Sequence, residues 1–246
     1  MRFTVGWLYP DLMNIYGDRG NVLTLLKRAE WRGLDARLVE IGKDSRHDFS
    51  DVDVFFFGGG QDREQALVYE DLLENNAAPL GQAIAEGAAM LAVCGGYQLL
   101  GRYYETAQGE RFEGIGLLDL YTKGGGQRCI GNALVDCSHL GLQPATVVGF
   151  ENHSGRTYLG DGLEPLGRVL RGHGNNGIDG GEGVAWEGVF GTYLHGSLLP
   201  KNPQLADLVM SRALQRRREA KLQPLDDSLE LEAHDVMRRR IEAGQP

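Results

Sequence analysis

The chain has 246 residues, of which 42% are hydrophobic and 24% are charged, and its formal net charge is −9. This composition is ordinary for a folded domain with a sizeable core, so neither disulfides nor metals are needed to hold the fold. The acidic balance argues against nucleic acid as the main partner, because binding to phosphates rewards a basic surface.

The cysteines and the N-terminus indicate a cytoplasmic protein. Cys94, Cys129 and Cys137 have neither the even count of a disulfide framework nor the short spacings of a zinc site. The first residues lack the apolar core of a signal peptide, and no uncharged apolar stretch approaches the ~20 residues of a membrane span. We therefore expect no integral membrane segment and no bound metal.

Over the first hundred residues, short apolar runs alternate with segments of helical periodicity. The predicted strands are 3–8, 36–41, 53–57 and 88–93, and the predicted helices are 21–33 (with Asn21 as N-cap), 63–75, 79–86 and one starting at 97. This alternation predicts an α/β fold with a mostly parallel, open sheet and flanking helices. Ligands of such sheets bind at the carboxyl ends of strands, where both glycine clusters, 58–60 and 95–96, fall.

The second half is rich in glycine and β-like runs. The predicted strands there are 146–150, 168–171, 183–186 and 189–194, followed by helices 203–217 and 228–243. The glycine- and asparagine-rich stretch 172–183 is typical of an exposed hairpin or loop. We predict one domain, residues 1–222, with residues 223–246 as its C-terminal helical extension.

Cys94 is the candidate nucleophile. It lies in Leu-Ala-Val-Cys-Gly-Gly-Tyr-Gln, residues 91–98, where a strand runs into the cysteine and a helix leaves it. This is the arrangement of a nucleophile elbow, in which the helix N-terminus favours the thiolate. A buried core cysteine is the alternative, and Cys129 and Cys137 lack the elbow context.

A thiol at neutral pH needs a base beside it, and His195 is the leading candidate among six histidines. It ends the apolar run Val-Phe-Gly-Thr-Tyr-Leu-His-Gly, residues 189–196, so it falls at the carboxyl end of a predicted strand. His153, in Phe-Glu-Asn-His-Ser, is the second candidate. A histidine in this position is often only structural, and the elbow is what favours a catalytic role.

These motifs together resemble class I glutamine amidotransferases. The resemblance lies in Gly-Gly-Gly at 58–60, Cys-Gly-Gly-Tyr-Gln at 94–98 and Gly-Thr-Tyr-Leu-His-Gly at 191–196. The histidine motif is similar to the branch that includes cobyric acid and cobyrinic acid diamide synthases. Within that branch, three further stretches resemble the GatD family of lipid II isoglutaminyl synthase subunits: 16–21, 58–65 and 149–153.

The resemblance implies a mechanism and a set of site residues. Cys94 would attack the side-chain amide of glutamine, and His195 would take the thiol proton and protonate the departing ammonia. The N–H groups of Gly60 and Gly95 would form the oxyanion hole.

The same resemblance implies three substrate-binding residues. Gln98 would help to place the substrate, and His153 is assigned to the same set. Arg128 would bind the α-carboxylate, because a guanidinium fork matches that group. An ordinary surface arginine is the alternative for Arg128.

One position departs from the family pattern. Many class I enzymes carry a glutamate two residues after the histidine, and here that residue is Ser197. The site could work as a Cys-His dyad, or another acid of this chain such as Glu151 could serve. As a third possibility, a partner subunit could supply the carboxylate, and this is the explanation that we favour at this stage.

The chain has no Gly-x-x-x-x-Gly-Lys-Ser/Thr loop for ATP. Amide synthesis from a carboxylate needs activation, so we expect a partner synthetase that holds ATP and magnesium, with no cofactor in this chain. The resemblance implies a heterodimer with a MurT-like Mur ligase subunit that amidates the D-glutamate of lipid II. The alternatives are an amidotransferase for a cobyrinate-type or other acceptor, a thiol hydrolase of the same broad fold, and a non-catalytic scaffold that binds a partner.

Overall fold

The computed structural model describes residues 1–216 and 222–245. Its strands are β1 (Arg2–Leu8), β2 (Asp35–Ile41), β3 (Val54–Phe57), β4 (Ala89–Val93), β5 (Tyr103–Glu105), β6 (Arg111–Glu113), β7 (Leu120–Lys123), β8 (Cys129–Asp136), β9 (Thr146–His153), β10 (Arg156–Leu159), β11 (Gly167–Arg171), β12 (Gly181–Glu182), β13 (Val184–Trp186), β14 (Val189–Thr192) and β15 (Leu194–His195). Its α-helices are α1 (Arg19–Trp31), α2 (Asp62–Asp71), α3 (Ala77–Ala85), α4 (Gly95–Leu99), α5 (Pro203–Arg216) and α6 (Ser228–Glu242), and a π-helical turn, Leu72–Asn76, joins α2 to α3.

The main sheet has six strands in the order β13-β14-β4-β3-β1-β2. Every pair is parallel except β13 with β14. In the register, Leu8 lies beside Phe57, Phe57 beside Ala92, and Val93 beside Thr192. The strands therefore end together, and the residues that follow β1, β3, β4 and β14 converge at one edge. The predicted α/β fold with a mostly parallel sheet is confirmed.

The central strands are apolar because both of their faces are covered. The side chains of β3, including Phe55, Phe56 and Phe57, are fully buried, and so are those of β4. Helices α1 and α5 contact the sheet and each other. Burial of each phenylalanine contributes roughly 1.5–3 kcal/mol to stability, so this part of the fold is a rigid base for the loops at the strand ends.

Two smaller sheets make up much of the second half. Their orders are β10-β7-β5-β6 and β12-β11-β8-β9-β15. Strand β15 follows directly after β14 and pairs antiparallel with β9, with His195 beside Phe150. His195 therefore lies where the main sheet meets the five-stranded sheet.

The stretch 172–183 is exposed at 172–173 and 177–180, as predicted, but its middle is buried. Asn175 and Asn176 are buried, at 1% and 3% exposure. The Asn175 side chain accepts a hydrogen bond from the Gly183 N–H (2.9 Å) and donates one to the Gly183 carbonyl (2.8 Å). The asparagines in this stretch therefore replace secondary structure by satisfying the backbone from inside the fold.

The N-cap predicted for the first helix is wrong. Helix α1 begins at Arg19, and Asn21 is a buried residue inside it whose Oδ1 accepts a hydrogen bond from the Leu199 N–H (2.9 Å). Asparagine is a common N-cap residue, but here the side chain of Asn21 is used for a tertiary contact with Leu199.

The C-terminal part is anchored by charge. Arg28, 1% exposed, donates two hydrogen bonds to Asp227, just before α6. His234 of α6 is buried and bonded to Thr146. The predicted helix end at residue 217 lies outside the described residues, and the boundary at 222/223 stays a prediction. In the part of the chain described here, no helix is long and apolar enough to cross a membrane.

Glu182 is a buried acid beneath the connection between β14 and β15. Its Oε1 accepts hydrogen bonds from the Thr192 hydroxyl (3.0 Å) and the Tyr193 N–H (2.8 Å), while Oε2 has no partner among the described residues. Burial raises the pKa of this carboxyl from 4.5 to about 7. The neutral acid is therefore the form that the fold prefers.

We predict that Glu182→Gln removes a pH dependence of stability. A folded pKa above the unfolded one gives stability that is fully present below about pH 4.5 and is lost as the pH rises through about 7. As the pH rises from 4.5 to about 7, the free energy of unfolding of the wild type should therefore fall by roughly 3 kcal/mol relative to that of the variant. Denaturant unfolding from pH 4.5 to 8, with the exposed Glu187→Gln as control, measures this. Parallel curves for wild type and Glu182→Gln would contradict it.

Candidate active site

Cys94 occupies a strained turn between β4 and α4. Its backbone angles are φ +50° and ψ −107°, which a non-glycine residue rarely adopts. Its N–H donates to the Thr192 carbonyl (2.8 Å), and its side chain is 7% exposed. This is the elbow geometry that the sequence predicts, and it holds the thiol at the N-terminus of a helix.

The glycines after Cys94 are needed for close approach. A Cβ on Gly95 would lie 3.0 Å from the nitrogen and the carbonyl oxygen of Gly60. A Cβ on Gly96 would lie 2.6 Å from the carbonyl oxygen of Phe57. The start of α4 therefore packs directly on the backbone that follows β3, and any side chain at either position would separate the two.

His195 lies beside the elbow and is fully buried. Its Nδ1 is hydrogen-bonded to Oδ1 of Asp18, at 3.2 Å, and neither side chain is exposed. A Cβ on Gly59 would lie 2.7 Å from Cε1 of the imidazole, so the glycine cluster leaves room for the ring. Burial lowers the pKa of His195, but Cys94 and the bonded Asp18 outweigh it and raise the pKa to about 10. The cysteine and histidine are therefore electrostatically coupled.

Asp18 is the acid that the sequence reasoning missed. Its Oδ2 accepts a hydrogen bond from the Gly59 N–H (2.7 Å) while Oδ1 bonds His195. One carboxylate thus joins the first loop of the chain to the glycine cluster and to the histidine. An acid of the same chain therefore occupies this contact, and a further carboxylate from a partner subunit stays a prediction.

Ser197 fastens the loop that carries Asp18. Its hydroxyl donates to the Gly17 carbonyl (2.8 Å), and the Gly196 N–H donates to the Tyr16 carbonyl (3.2 Å). A Cβ on Gly20 would lie 2.2 Å from the serine oxygen. Ser197, at the position where many class I enzymes carry a glutamate, therefore holds the loop of a different acid, Asp18, in place.

Glu151, the alternative named from the sequence, is committed elsewhere. Its Oε1 accepts from the N–H (2.7 Å) and from Nδ1 (2.6 Å) of His173, and its Oε2 accepts from the Gly174 N–H (3.0 Å). It is fully buried. Glu151 therefore holds the loop after β11 and does not orient His195.

The two predicted oxyanion donors lie side by side, since Gly60 packs against Gly95. Among the described residues, neither of these N–H groups has a hydrogen-bond partner. Unpaired donors beside a nucleophile can stabilise negative charge that develops on a substrate oxygen.

A cleft of about 520 Å³ opens above Cys94. Five predicted site residues line it: Gly60, Cys94, Gln98, Arg128 and His153. His195 lies beneath this surface, and the ring of Tyr16 meets the imidazole edge-on at 5.0 Å. The structure thus brings all seven predicted residues to one place.

Gln98 and His153 are held by the protein itself. Gln98 accepts a hydrogen bond from Gln65 and donates one to the Tyr193 hydroxyl, both at 3.0 Å. Nδ1 of His153 donates to the Gly155 carbonyl (2.8 Å), and its ring stacks on Tyr193 at 3.7 Å. Burial lowers the pKa of His153 to about 4. A buried, neutral ring whose Nδ1 is bonded to a backbone carbonyl makes His153 a poor second base.

Arg128 lies at the exposed rim of the cleft. Its Nε donates to Oδ1 of Asn152 (2.6 Å), a neighbouring residue of the cleft. With Nε held in this way, the two terminal nitrogens remain for an anion. The prediction of no bound metal stays a prediction.

The sequence is similar to that of known proteins along most of its length. The CobB/CobQ-like glutamine amidotransferase domain matches residues 4–203. The chain belongs to the CobB/CobQ-like glutamine amidotransferase family. The family predicted from the motifs is confirmed, and with it the prediction of an enzyme of the glutamine amidotransferase class.

Relatives within the family include lipid II isoglutaminyl synthase (glutamine-hydrolyzing) subunits GatD. The Staphylococcus aureus protein is 40% identical over 95% of this chain and 94% of its own length. The Streptococcus pneumoniae protein is 40% identical over 88% of this chain and 82% of its own. A cobyric acid synthase from Pelotomaculum thermopropionicum is 36% identical over 58% of this chain and 29% of its own.

Solved structures agree on the fold. The glutaminase domain of Trypanosoma brucei CTPS superposes with a TM-score of 0.54 at 14% identity, over 90% of this amidotransferase and 96% of that chain. PurLQS from Thermotoga maritima superposes with a TM-score of 0.51 at 18% identity, over 88% of this chain and 97% of that chain.

We predict that Asp18→Asn lowers the pKa of His195. The variant removes a negative charge and a hydrogen bond that favour the protonated imidazole, so the pKa should fall from about 10 towards 6.5. An NMR titration of the imidazole resonances measures this directly. The exposed Asp11→Asn is the control, and a His195 pKa equal to the wild-type value in Asp18→Asn would refute the contact.

Proposed function

We propose that the chain hydrolyses L-glutamine to glutamate and ammonia, with Cys94 as nucleophile and His195 as base. The observation that carries the proposal is the arrangement of four elements at one sheet edge. An elbow cysteine lies beside a buried histidine, and the histidine is bonded to Asp18. Next to the cysteine lie the N–H groups of Gly60 and Gly95, which have no hydrogen-bond partner in the part of the chain that the structure describes. Membership of the glutamine amidotransferase family supports the same chemistry.

The reaction proceeds in two halves. The sulfur of Cys94 attacks the carboxamide carbon, and the carbonyl oxygen takes up negative charge between the N–H groups of Gly60 and Gly95. His195, which has taken the proton of the Cys94 thiol, gives that proton to the nitrogen, and ammonia leaves as the C–N bond breaks. Water then attacks the thioester while His195 takes its proton. The C–S bond breaks, the proton returns to the Cys94 sulfur and glutamate leaves.

Asp18 orients the imidazole throughout this cycle. Its bond to Nδ1 fixes which ring nitrogen faces the thiol and stabilises the imidazolium form. The catalytic set is therefore Cys94, His195 and Asp18, all supplied by one chain.

The cleft provides groups for the amino-acid end of glutamine. Arg128 is placed for the α-carboxylate, since its terminal nitrogens remain at the rim of the cleft. Gln98 and His153 line the same cleft and complete the proposed binding set.

We further propose that the ammonia passes to a separate ATP-dependent subunit of the Mur ligase type, MurT-like, in a heterodimer. That partner would hold ATP and magnesium and amidate the D-glutamate of lipid II to D-isoglutamine. Similarity to GatD subunits over nearly the whole chain supports this reading. The cobyric acid synthase match, which spans 58% of this chain, supports a cobyrinate-type acceptor less well. We place the complex in the cytoplasm, in keeping with three free cysteines.

We predict that glutamate release from L-glutamine is abolished by Cys94→Ala, because the thioester cannot form without the thiol. Release is measured for the chain alone and with the co-expressed synthetase. Cys137→Ala, which changes a buried cysteine outside the cleft, should retain turnover. Release that survives Cys94→Ala would refute the assignment.

The complex also tests the acceptor. With Cys94→Ala, ammonium chloride should still support ATP-dependent amidation of lipid II, whereas glutamine should not. Amidation of a cobyrinate-type acceptor in place of lipid II would move the protein to the other branch of the family.

A further inference from the structure

Gln65 connects the first turn of α2 to the backbone beside the nucleophile. It is 4% exposed, and its Nε2 donates to the Gly60 carbonyl (3.3 Å) and to Oε1 of Gln98 (3.0 Å). A carbonyl oxygen can only accept, so the Gly60 contact fixes which end of the amide is the donor. Gln65 therefore faces Gly60 in one defined orientation.

The amide of Gln65 is itself held by a chain of buried hydrogen bonds. Gln98 donates to the Tyr193 hydroxyl (3.0 Å), and that hydroxyl is bonded to the Thr157 hydroxyl (2.7 Å). The Thr157 hydroxyl is bonded in turn to that of Thr122 (2.6 Å). The chain thus runs from Gly60 across the start of α4 to β10 and β7. Networks of this kind fix side chains more firmly than isolated bonds do.

Gly60 needs such support. A glycine backbone has more conformational freedom than any other residue. Met13 limits it on one side, where an added Cβ would lie 2.4 Å from the sulfur, and Gly95 packs on the other. Neither contact is a hydrogen bond, whereas Gln65 bonds the Gly60 carbonyl directly. The Gly60 N–H lies on the other side of the same Cα, so a bond that holds the carbonyl restrains the residue that carries this N–H.

We infer that Gln65 is a positioning residue for glutamine hydrolysis, holding Gly60 so that its N–H meets the oxyanion. The inference rests on the proposed function. The oxyanion exists only after the thiol has attacked, so loss of the Gly60 contact acts on the transition state. Gln65 also lines the cleft and holds Gln98 of the proposed binding set. The maximal rate should therefore fall by a larger factor than the Michaelis constant rises.

The test uses Gln65→Leu and Gln65→Glu in the full chain, alone and with the co-expressed synthetase. Leucine removes the Nε2 donor of residue 65. Glutamate replaces that donor with a carboxylate, which faces the Gly60 carbonyl and Oε1 of Gln98. Both should lower kcat for glutamate release by about 10- to 100-fold and leave KM within about threefold. Gln82→Leu, which alters an exposed amide on α3 bonded to Glu86, is the matched control and should match wild type.

The rate at which iodoacetamide alkylates Cys94 distinguishes the loss of a positioning residue from a general disruption of the site. This reaction displaces iodide from a carbon and forms no oxyanion, so its rate should stay within about twofold of wild type in both variants. A kcat within about twofold of wild type in Gln65→Leu would overturn the inference. So would an alkylation rate that falls together with kcat. If Cys94→Ala released glutamate at the wild-type rate, the proposed function itself would be refuted, independently of the results for the Gln65 variants.

Discussion

The hydrogen bond between Asp18 and His195 is the interaction on which the site depends. It spans 177 positions of the chain and joins the first loop to the last strand. It forms because the parallel strands end in register, so the residues after β1, β3, β4 and β14 meet at one edge. A buried carboxylate of this kind is tolerated because the Gly59 N–H and the imidazole both satisfy it.

Close backbone packing is the second constraint. Three glycines beside the nucleophile or the histidine make room for close neighbours: Gly59 for His195, Gly95 for Gly60, and Gly96 for Phe57. The strained backbone of Cys94 is held between these contacts and the bond to Thr192. Such strain persists only where the surroundings determine it, as at many active sites. The apolar sheet below supplies that rigidity.

Local pattern was enough to predict the parallel sheet, the elbow at Cys94 and the strand that ends at His195. These features depend on runs of apolar residues and on glycines beside them in sequence. Asp18 could not be found in this way, because no periodicity connects a loop residue with a histidine 177 positions later. Its only signal was the motif at residues 16–21. The N-cap role predicted for Asn21 was wrong for the same reason, since its partner, Leu199, lies 178 positions away.

The central claim is that this chain supplies its own orienting acid, and the kcat of Asp18→Asn for glutamate release tests it most directly. The claim predicts a fall on the order of 100-fold or more, both in the isolated chain and in the complex with its synthetase. Cys94 should remain open to alkylation in the variant. Wild-type turnover by Asp18→Asn in the complex would contradict the claim and would return the role to a carboxylate outside this chain.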